Sequence, residues 1–213
     1  MWKFLRILAW TSLILGALVG VLRLTCIRWW QLPPTAGDPY FGASVTPTLH
    51  GGDWVLLWRA TSPTFGELVL CPEPKTNRPV IGRIVAEGGD HLKVEGAGFS
   101  VNDRPIETES VCDRFHVHDP DNGSEVEQGC SLEVIGSRTH QRGNAPQEVL
   151  KPLEVELDVP HGQVFLLSDN RQFPYDSRQF GGVDRAGCAE TVFFRLVSKD
   201  GFWDVANRLT VIH

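Results

Sequence analysis

A serine that could act as a nucleophile stands at Ser44, within residues 41–49, which read FGASVTPTL. A serine hydroxyl is a poor nucleophile unless a base within hydrogen-bond reach takes its proton. Pro47 follows closely, and proline pushes the residue before it out of the helical region, so we expect Ser44 on an extended loop. The alternative is an ordinary turn or capping serine, which is common beside proline. Residues elsewhere in the chain must decide between these two interpretations.

Two stretches further along the chain favour the chemical interpretation. Residues 82–90 read GRIVAEGGD, and residues 168–183 read SDNRQFPYDSRQFGGV. Together with residues 44–49 they resemble, in order and rough spacing, the three boxes of the signal peptidase I family: S-M-x-P-T-L, K-R-x-x-G-x-P-G-D and G-D-N-R-x-x-S-x-D-S-R. The resemblance runs from about residue 41 to residue 197. It implies a membrane-anchored serine endopeptidase in which a desolvated, neutral lysine is the base for the serine.

The resemblance assigns the nucleophile position to Ser44 but supplies no base. With Arg83 in register, the family's lysine position falls on Gly82, which has no side chain. The family's serine that hydrogen-bonds this lysine falls on Pro174, and the glycine that begins the third box falls on Ser168. Arg83 cannot replace the lysine because arginine does not lose its proton usefully. The lysine base and the serine that bonds it are both absent. Their joint loss indicates that the whole lysine pocket was lost together.

Other residues could in principle replace the missing lysine as the base, or donate hydrogen bonds to the oxyanion. His50 and His91 are expected to be surface histidines. Lys75 would reach Ser44 only if a loop carried it there. The position two before the nucleophile, where many family members carry a serine that supplies an oxyanion donor, is Gly42. The Ser44 backbone amide remains as an oxyanion donor, and losing one donor typically costs ~10²–10³ in rate.

The third box retains charged residues that match the family. We predict that these residues form a hydrogen-bonded ion network that holds the loop beside the serine, and that the role of the network is structural rather than catalytic. Its members are Asp169, Asn170, Arg171, Asp176 and Arg178.

Composition sets broader limits. The chain has 213 residues, of which 42% are hydrophobic and 22% charged, which is typical of a globular domain. Its formal net charge of −6 gives no reason to propose a nucleic-acid partner. No cofactor and no metal are implied, because serine–lysine chemistry needs neither.

The N-terminal segment is apolar and flanked by basic residues. No charged residue occurs in residues 7–22, and Trp29 and Trp30 suit a membrane interface. We interpret residues 1–28 as a single transmembrane anchor in the lipid bilayer, followed by a linker over residues 29–40. A cleaved signal peptide and a lipoprotein site at Cys26 are the alternatives.

The remainder of the chain predicts a mostly β fold, an antiparallel β-domain of signal peptidase type. Its first part is residues 41–106 and its second part residues 161–213. Strands are expected at residues 54–58, 67–71, 80–85, 91–94, 99–102, 163–167 and 191–197, and no sustained helical period follows Arg28.

Between the two β parts, residues 107–160 are polar and are interpreted as a loop-like insertion. Cys112 and Cys130 could close a disulfide there, which would place the domain on the extracytoplasmic side of the membrane. A metal site with His116 and His118 is the less favoured interpretation of the same residues. Cys71 is expected to be a small buried hydrophobic residue.

Two functions follow. The first is an endopeptidase that binds an extended segment of an exported or membrane precursor protein as a strand beside Ser44 and residues 80–85, with small side chains in shallow pockets. The second is a homologue that keeps this groove without cleaving, and that binds exported proteins or assists their assembly. Ser44 with Thr46-Pro47-Thr48 favours the first function, whereas Gly82 and Pro174 favour the second.

Overall fold

The N-terminal anchor is the helix α1, Trp2–Thr25, in a computed structural model that describes residues 2–144 and 154–213. The helix has 24 residues and contains an 18-residue stretch with a mean hydropathy of 2.0, and none of its side chains is buried in the protein. Its length and composition suffice to cross a membrane, for which about 20 residues are needed. It contains the apolar run seen in the sequence.

The elements after α1 are mostly strands. In chain order they are β1 Ile27–Gln31, α2 Pro39–Ser44, β2 Trp54–Trp58, β3 Leu68–Pro72, β4 Pro79–Glu87, β5 His91–Glu95, β6 Gly98–Val101, β7 Arg104–Pro105, β8 Glu107–His118, β9 Glu125–Ile135, β10 Arg138–Asn144, β11 Val155–Asp158, β12 Gln163–Leu167, α3 Ser177–Phe180, β13 Val183–Asp184, the 3-10 turn Arg185–Gly187, β14 Glu190–Val197 and β15 Thr210–Val211. The mostly antiparallel β fold is as predicted, and every stretch expected to be a strand contains one. Among the described residues past Arg28, the α-helices are short, with six residues in α2 and four in α3, so no sustained helix follows the anchor there.

Three antiparallel sheets make up the described part of the domain. The main sheet has the order β1-β2-β14-β3-β4-β12-β13, with β15 paired to β14. The second sheet has the order β11-β5-β6-β7, and the third has the order β10-β9-β8. The strand β4 is central because it pairs with β3 through its first half and with β12 through its second half.

The polar residues 107–160 contain regular structure, so their interpretation as a loop-like region was wrong. Strands β8, β9 and β10 pair along almost their whole lengths. The apolar alternation that usually marks a strand is missing because Gln128, Ser131 and Glu133 occupy buried positions of β9. Residues 145–153 of the predicted insertion lie outside the described residues.

The hydrophobic core has three parts that hold the boxes in place. One cluster packs Phe41 and Val45, on either side of Ser44, against Ile81 of β4. A second cluster contains Val80 and Ile84 on the opposite face of β4. A third joins the second sheet to β4 and β12 through Phe99 and other residues. Burial of these side chains fixes the serine segment, β4 and the third box relative to each other.

Candidate functional site

Ser44 is the last residue of the short helix α2, so the prediction of an extended loop was wrong. The Asp38 carboxylate accepts a hydrogen bond from the Phe41 amide at 3.1 Å and caps the helix, and Pro39 stands at its first position. Pro47 restricts only the residue directly before it. A helix can therefore end two residues earlier, at Ser44.

The Ser44 hydroxyl is buried and already has a partner. The residue is 1% exposed, and its Oγ donates a hydrogen bond to the Phe41 carbonyl in the same helix at 2.9 Å. The Ser44 amide lies in the last turn of α2, where amides point back along the helix rather than outward. Neither group faces an incoming carbonyl in this conformation.

The three substitute bases do not hydrogen-bond Ser44 in the described part of the chain. His50 lines a cavity beside Gly42, and burial lowers its pKa. His91 lies on β5, where a hydrogen bond to Asp158 raises its pKa. Lys75 is exposed in the turn between β3 and β4.

Gly82 is closely surrounded by residues of the neighbouring strand β12. A Cβ atom at this position would lie 3.0 Å from Cβ of Leu166 and 3.2 Å from the carbonyl oxygen of Leu167. By alternation along β4, Gly82 shares the face of Val80 and Ile84, whereas Ile81 packs against the Ser44 segment. A side chain at position 82 would require its neighbours to move.

The loop that carries Pro174 is held by hydrogen bonds from the third box. Ser168 Oγ accepts a hydrogen bond from the Tyr175 amide at 3.1 Å, and the Ser168 amide donates to Asp176 at 2.8 Å. Tyr175 packs against the same hydrophobic cluster as Val80 and Ile84. Pro174 offers no hydroxyl or amide donor at the position where the family carries its serine.

Gly42 is required by close packing. A Cβ atom there would lie 2.8 Å from Thr35 Oγ1, which belongs to the segment that leads into α2. The family's serine side chain would therefore not fit at this position without a shift of that segment.

Asp169 connects all three boxes. Its carboxylate accepts hydrogen bonds from Arg83 Nε at 2.8 Å, Arg83 Nη2 at 3.1 Å and Thr48 Oγ1 at 2.5 Å. The next residue, Asn170, donates its backbone amide to the Ser44 carbonyl at 3.0 Å. Burial would raise the pKa of Asp169, but Arg83 and other donors outweigh it and hold this pKa below its usual range. A second buried pair, Arg178–Asp176, closes the third box at 2.7 Å.

The third sheet supplies polar residues that sequence reasoning missed. Glu133 of β9 contacts Arg171 at 2.5 Å and Arg142 of β10 at 2.9 Å, and His140 lies 3.3 Å away. Burial opposes ionisation of Glu133, yet Arg171 and its other cationic neighbours lower its pKa to about 2. Gln128 of β9 accepts a hydrogen bond from the Asn170 side chain at 2.9 Å. The only indication of these residues in the sequence was the polar character of β9. A polar stretch is also typical of a solvated loop, so it did not point to a buried strand.

Four of the five cysteines form disulfides. Cys112 and Cys130 join β8 to β9, which leaves Cys112 unable to act as a metal ligand with His116 and His118. Cys71 is buried but joined to Cys188, so its interpretation as a simple small hydrophobic residue was wrong. Sequence spacing could not show this pair because 117 positions separate the two cysteines. Cys26 is free.

Comparison with known proteins points to one family. A family model described as signal peptidase, peptidase S26, matches residues 7–197. Signal peptidase I U of Bacillus subtilis (strain 168) is 23% identical over 200 residues, which cover 90% of this chain and 89% of the relative. Signal peptidase I of Streptococcus pneumoniae serotype 4 is 23% identical over 186 residues, 84% of this chain and 88% of that one. A crystal structure of a signal peptidase I from Enterococcus faecalis V583 aligns with 62% of this chain and 97% of that chain, at 19% identity and a TM-score of 0.38.

Proposed function

The chain belongs to the signal peptidase family, peptidase S26, and from this premise we propose that it binds extended segments of exported precursor proteins without cleaving them by serine–lysine chemistry. The observation that carries the proposal is the state of Ser44. Its hydroxyl is buried and donates to the Phe41 carbonyl of its own helix, with no basic side chain bonded to it among the described residues. A serine in this state lacks the base that nucleophilic attack requires.

The position of the family's lysine supports the same proposal. Gly82 supplies no side chain, and a Cβ atom there would lie only 3.0 Å from the Cβ atom of Leu166. Pro174 supplies no hydrogen-bond donor to hold a neutral amine. Removing a triad-type base costs on the order of 10⁴–10⁶ in rate in comparable serine enzymes. Any residual cleavage would therefore be slow.

The binding edge that we propose is the first half of β4. Strand β12 pairs with β4 from Arg83 onward, so residues 79–82 have a strand partner only on the β3 side. A cavity of about 240 Å³ adjoins this edge, lined by Asp38, Tyr40, Arg78, Tyr175 and Gln179. An extended peptide can add to such an edge through main-chain hydrogen bonds. Of the groove expected along residues 80–85, residues 80–82 have no β12 partner, and Val80 and Ile81 among them are buried.

Membrane anchoring by α1 follows from the family and the apolar N-terminal helix. We propose in addition a single crossing, with the β-domain on the extracytoplasmic side. Two disulfides support this orientation, because disulfides persist in oxidising compartments and are rare in the cytoplasm. The partners on this side are precursor proteins and the lipid surface.

A second candidate is a serine endopeptidase with an unrecognised base. The observation in its favour is that Ser44 and Thr46-Pro47-Thr48 remain in the first box although the lysine does not. Thr48 has a structural role in bonding Asp169, which explains its own presence without catalysis. Ser44 likewise has a structural contact, the hydrogen bond from its hydroxyl to the Phe41 carbonyl.

A binding and cleavage assay separates the two candidates. The full chain in detergent is mixed with a fluorescent peptide that carries an Ala-x-Ala segment, and wild type is compared with Ser44→Ala. We expect both proteins to bind the peptide equally and neither to cut it, and we expect slower amide hydrogen exchange at residues 80–82 when peptide is present. A matched peptide with Glu at both alanine positions is the control for small-residue pockets.

Cleavage by wild type that disappears in Ser44→Ala would overturn the proposal in favour of the endopeptidase. Absence of both binding and exchange protection would overturn the proposed groove itself.

A further inference from the structure

The strand β2 divides its apolar side chains between two sides of the main sheet. Val55 and Leu57 are buried in the hydrophobic core. Because side chains alternate along a strand, Trp54, Leu56 and Trp58 point to the opposite side, away from this core cluster. This outer side is apolar as well, although it is not part of the cluster.

A row of four apolar residues crosses the outer side of the sheet. Leu56 is opposite Trp29 of β1 and Phe194 of β14, and Phe194 is opposite Val211 of β15. Residues directly opposite each other in antiparallel strands lie on the same side of the sheet. Trp29 is 49% exposed and Val211 is 58% exposed, while the two residues between them are half-buried.

The connection between β14 and β15, residues 198–209, extends this apolar surface. It starts beside Trp54 of β2, where the Lys199 amide donates a hydrogen bond to Asp53 at 2.7 Å. Four of its large apolar side chains are exposed, namely Phe202, Trp203, Val205 and Leu209. The outer side of β1, β2, β14 and β15 and this connection together form the aromatic face.

The aromatic face holds most of the exposed apolar side chains of the β-domain. Elsewhere past α1, the described residues expose only two other large apolar or aromatic side chains, Tyr40 and Val111. Single exposed apolar residues are normal on a protein surface, whereas a contiguous group marks contact with a partner or a membrane. The grouping on one face therefore calls for an occupant.

The position of the membrane helix identifies that occupant. Helix α1 ends at Thr25, and Ile27 then pairs with Trp58 at the near end of β2. The Arg23 guanidinium carbon in the last turn of α1 lies 4.8 Å from the ring centroid of Trp29. The aromatic face is therefore continuous with the segment that anchors the chain in the bilayer.

The apolar exposure persists along the whole length of β2. Trp54 lies four residues from Trp58, which is about 13 Å at the usual rise of a strand. If the sheet stood upright on the membrane, this far end would be in water and its apolar exposure would be unexplained. Trp54 is nevertheless 40% exposed, and Trp203 in the connection beside it is 85% exposed. A sheet that lies flat on the bilayer accounts for both ends.

The charged residues of the connection suit a membrane interface. The Arg208 guanidinium carbon lies 4.5 Å from the ring centroid of Phe202. Asp200 is paired with Lys199, and Asp204 is hydrogen-bonded within the connection. Tryptophan at the headgroup level with arginine and lysine nearby is typical of the boundary between membrane and water.

We propose that the aromatic face lies on the lipid bilayer, with the sheet parallel to the membrane surface and Trp203 among the headgroups. Apolar and aromatic burial carries the contact, so it does not require a particular headgroup charge. This inference rests on membrane anchoring by α1. It requires neither a peptide on β4 nor a particular side of the membrane, and no peptide is present in its test.

Fluorescent labels at single cysteines test the contact. In a Cys26→Ser background, in which the other four cysteines form disulfides, the dye NBD is attached to Trp203→Cys or to Val111→Cys. The native residues are 85% and 84% exposed, so Val111 on β8 is the matched control. The full chain is placed in phosphatidylcholine nanodiscs, one chain to a disc, with and without doxyl-labelled lipid. The Trp203→Cys label should shift to the blue and lose most of its emission to doxyl lipid, and the Val111→Cys label should do neither.

Two results would overturn the proposal. The first is the absence of lipid quenching at Trp203→Cys, or equal quenching at both positions. The second is a blue shift at Trp203→Cys without lipid quenching, which would assign the aromatic face to a protein partner such as a second copy of the chain.

A measurement on the wild-type chain guards against misfolding of the variants. Trp203 is 85% exposed in the protein and Tyr40 is 43% exposed, so Tyr40 is an internal reference for oxidation by hydroxyl radicals. In nanodiscs of saturated lipid, Trp203 should be oxidised more slowly than Tyr40 because the bilayer covers it. Faster oxidation of Trp203 would show that the aromatic face is open to water.

Discussion

At the scale of single residues, this molecule keeps some of the residues of the family's boxes and has others in place of the rest. Asp169 and Arg83 keep the buried ion pair that links the second and third boxes. Gly82, next to the matched Arg83, and Pro174, two residues before the matched Asp176, lack the groups that would activate Ser44. Because the ion pair is structural, its retention carries no information about catalysis. The state of a nucleophile depends on groups that a box match alone does not test.

The crowding at Gly82 gives the first prediction at this scale. Gly82→Ala should lower the free energy of unfolding by about 1–3 kcal/mol, because overpacking a buried strand forces its neighbours apart. The matched control is Gly98→Ala in β6, where the nearest atom to a new Cβ is 3.8 Å away. That change should be neutral or stabilising. Denaturant unfolding of both variants provides the comparison, and equal effects would mean that position 82 has room for a side chain.

Glu133 gives a prediction about acid stability. Its folded-state pKa of about 2 lies below the ordinary 4.5, so its contribution is fully present above pH 4.5 and is lost as the pH falls toward 2. The contribution is on the order of 3 kcal/mol for a shift of this size. Glu133→Gln should therefore flatten the decline in unfolding free energy between these pH values. The control is Glu127→Gln, an exposed residue on the same strand, whose pH profile should follow wild type.

If the profile of Glu133→Gln has the wild-type slope over this window, the carboxylate is not stabilised by Arg171 and its other neighbours in the folded state.

At the scale of elements, the third sheet is a structural partner of the third box. Strand β9 brings Glu133 to Arg171 and Gln128 to Asn170, and β10 brings Arg142 to Glu133. These contacts form a buried polar interface between the third sheet and the third box, beside the serine segment. Such an interface holds one arrangement only if all its members are satisfied. His140 lies in the same interface, with its Nε2 3.3 Å from Glu133 Oε2.

The disulfides give a prediction at this scale. Cys71–Cys188 spans 117 positions, whereas Cys112–Cys130 spans 18. A crosslink that closes a longer loop restricts the unfolded chain more, by about 1–2 kcal/mol over this range of lengths. The double variant Cys71→Ala/Cys188→Ala should therefore unfold at a lower temperature than Cys112→Ala/Cys130→Ala. The reverse order would show that packing around each bridge, rather than loop length, decides its contribution.

At the scale of the whole molecule, the β-domain follows the apolar helix with almost no spacer. Helix α1 ends at Thr25 and β1 begins at Ile27, where it pairs with β2 at the edge of the main sheet. The Arg59 guanidinium donates to the carbonyls of Arg23 and Leu24 at the end of the helix, at 3.1 and 3.2 Å. The domain is thus held close to the membrane surface. The segment 29–40, predicted as a linker, begins inside β1.

The orientation across the membrane can be tested by counting thiols. Cells that express the full chain are quenched with acid, and the unfolded protein is treated with a maleimide reagent before and after reduction. One thiol, that of Cys26, should react before reduction and all five cysteines after it. Five reactive thiols before reduction would place the domain in a reducing compartment and overturn the proposed sidedness. A chain kept under reductant throughout is the control.

The sequence by itself determined the family, the apolar helix and most of the strands. These are local properties: an apolar run, alternation within apolar strands and three short motifs at a characteristic spacing. The absence of a base at Gly82 was also visible, because a glycine has no side chain in any fold. The residues of the ion network in the third box could be identified, although Arg83 as the partner of Asp169 could not.

Tertiary structure alone decided the features that join residues far apart in the chain. The Cys71–Cys188 bridge and the contact of Glu133 with Arg171 depend on how three sheets pack, which no local pattern records. The polar strand β9 was mistaken for a loop because its buried side chains are satisfied by partners in other elements rather than by being apolar. The burial of the Ser44 hydroxyl likewise results from the capped helix α2 and from its packing against β4. These two features decide which groups the hydroxyl can contact.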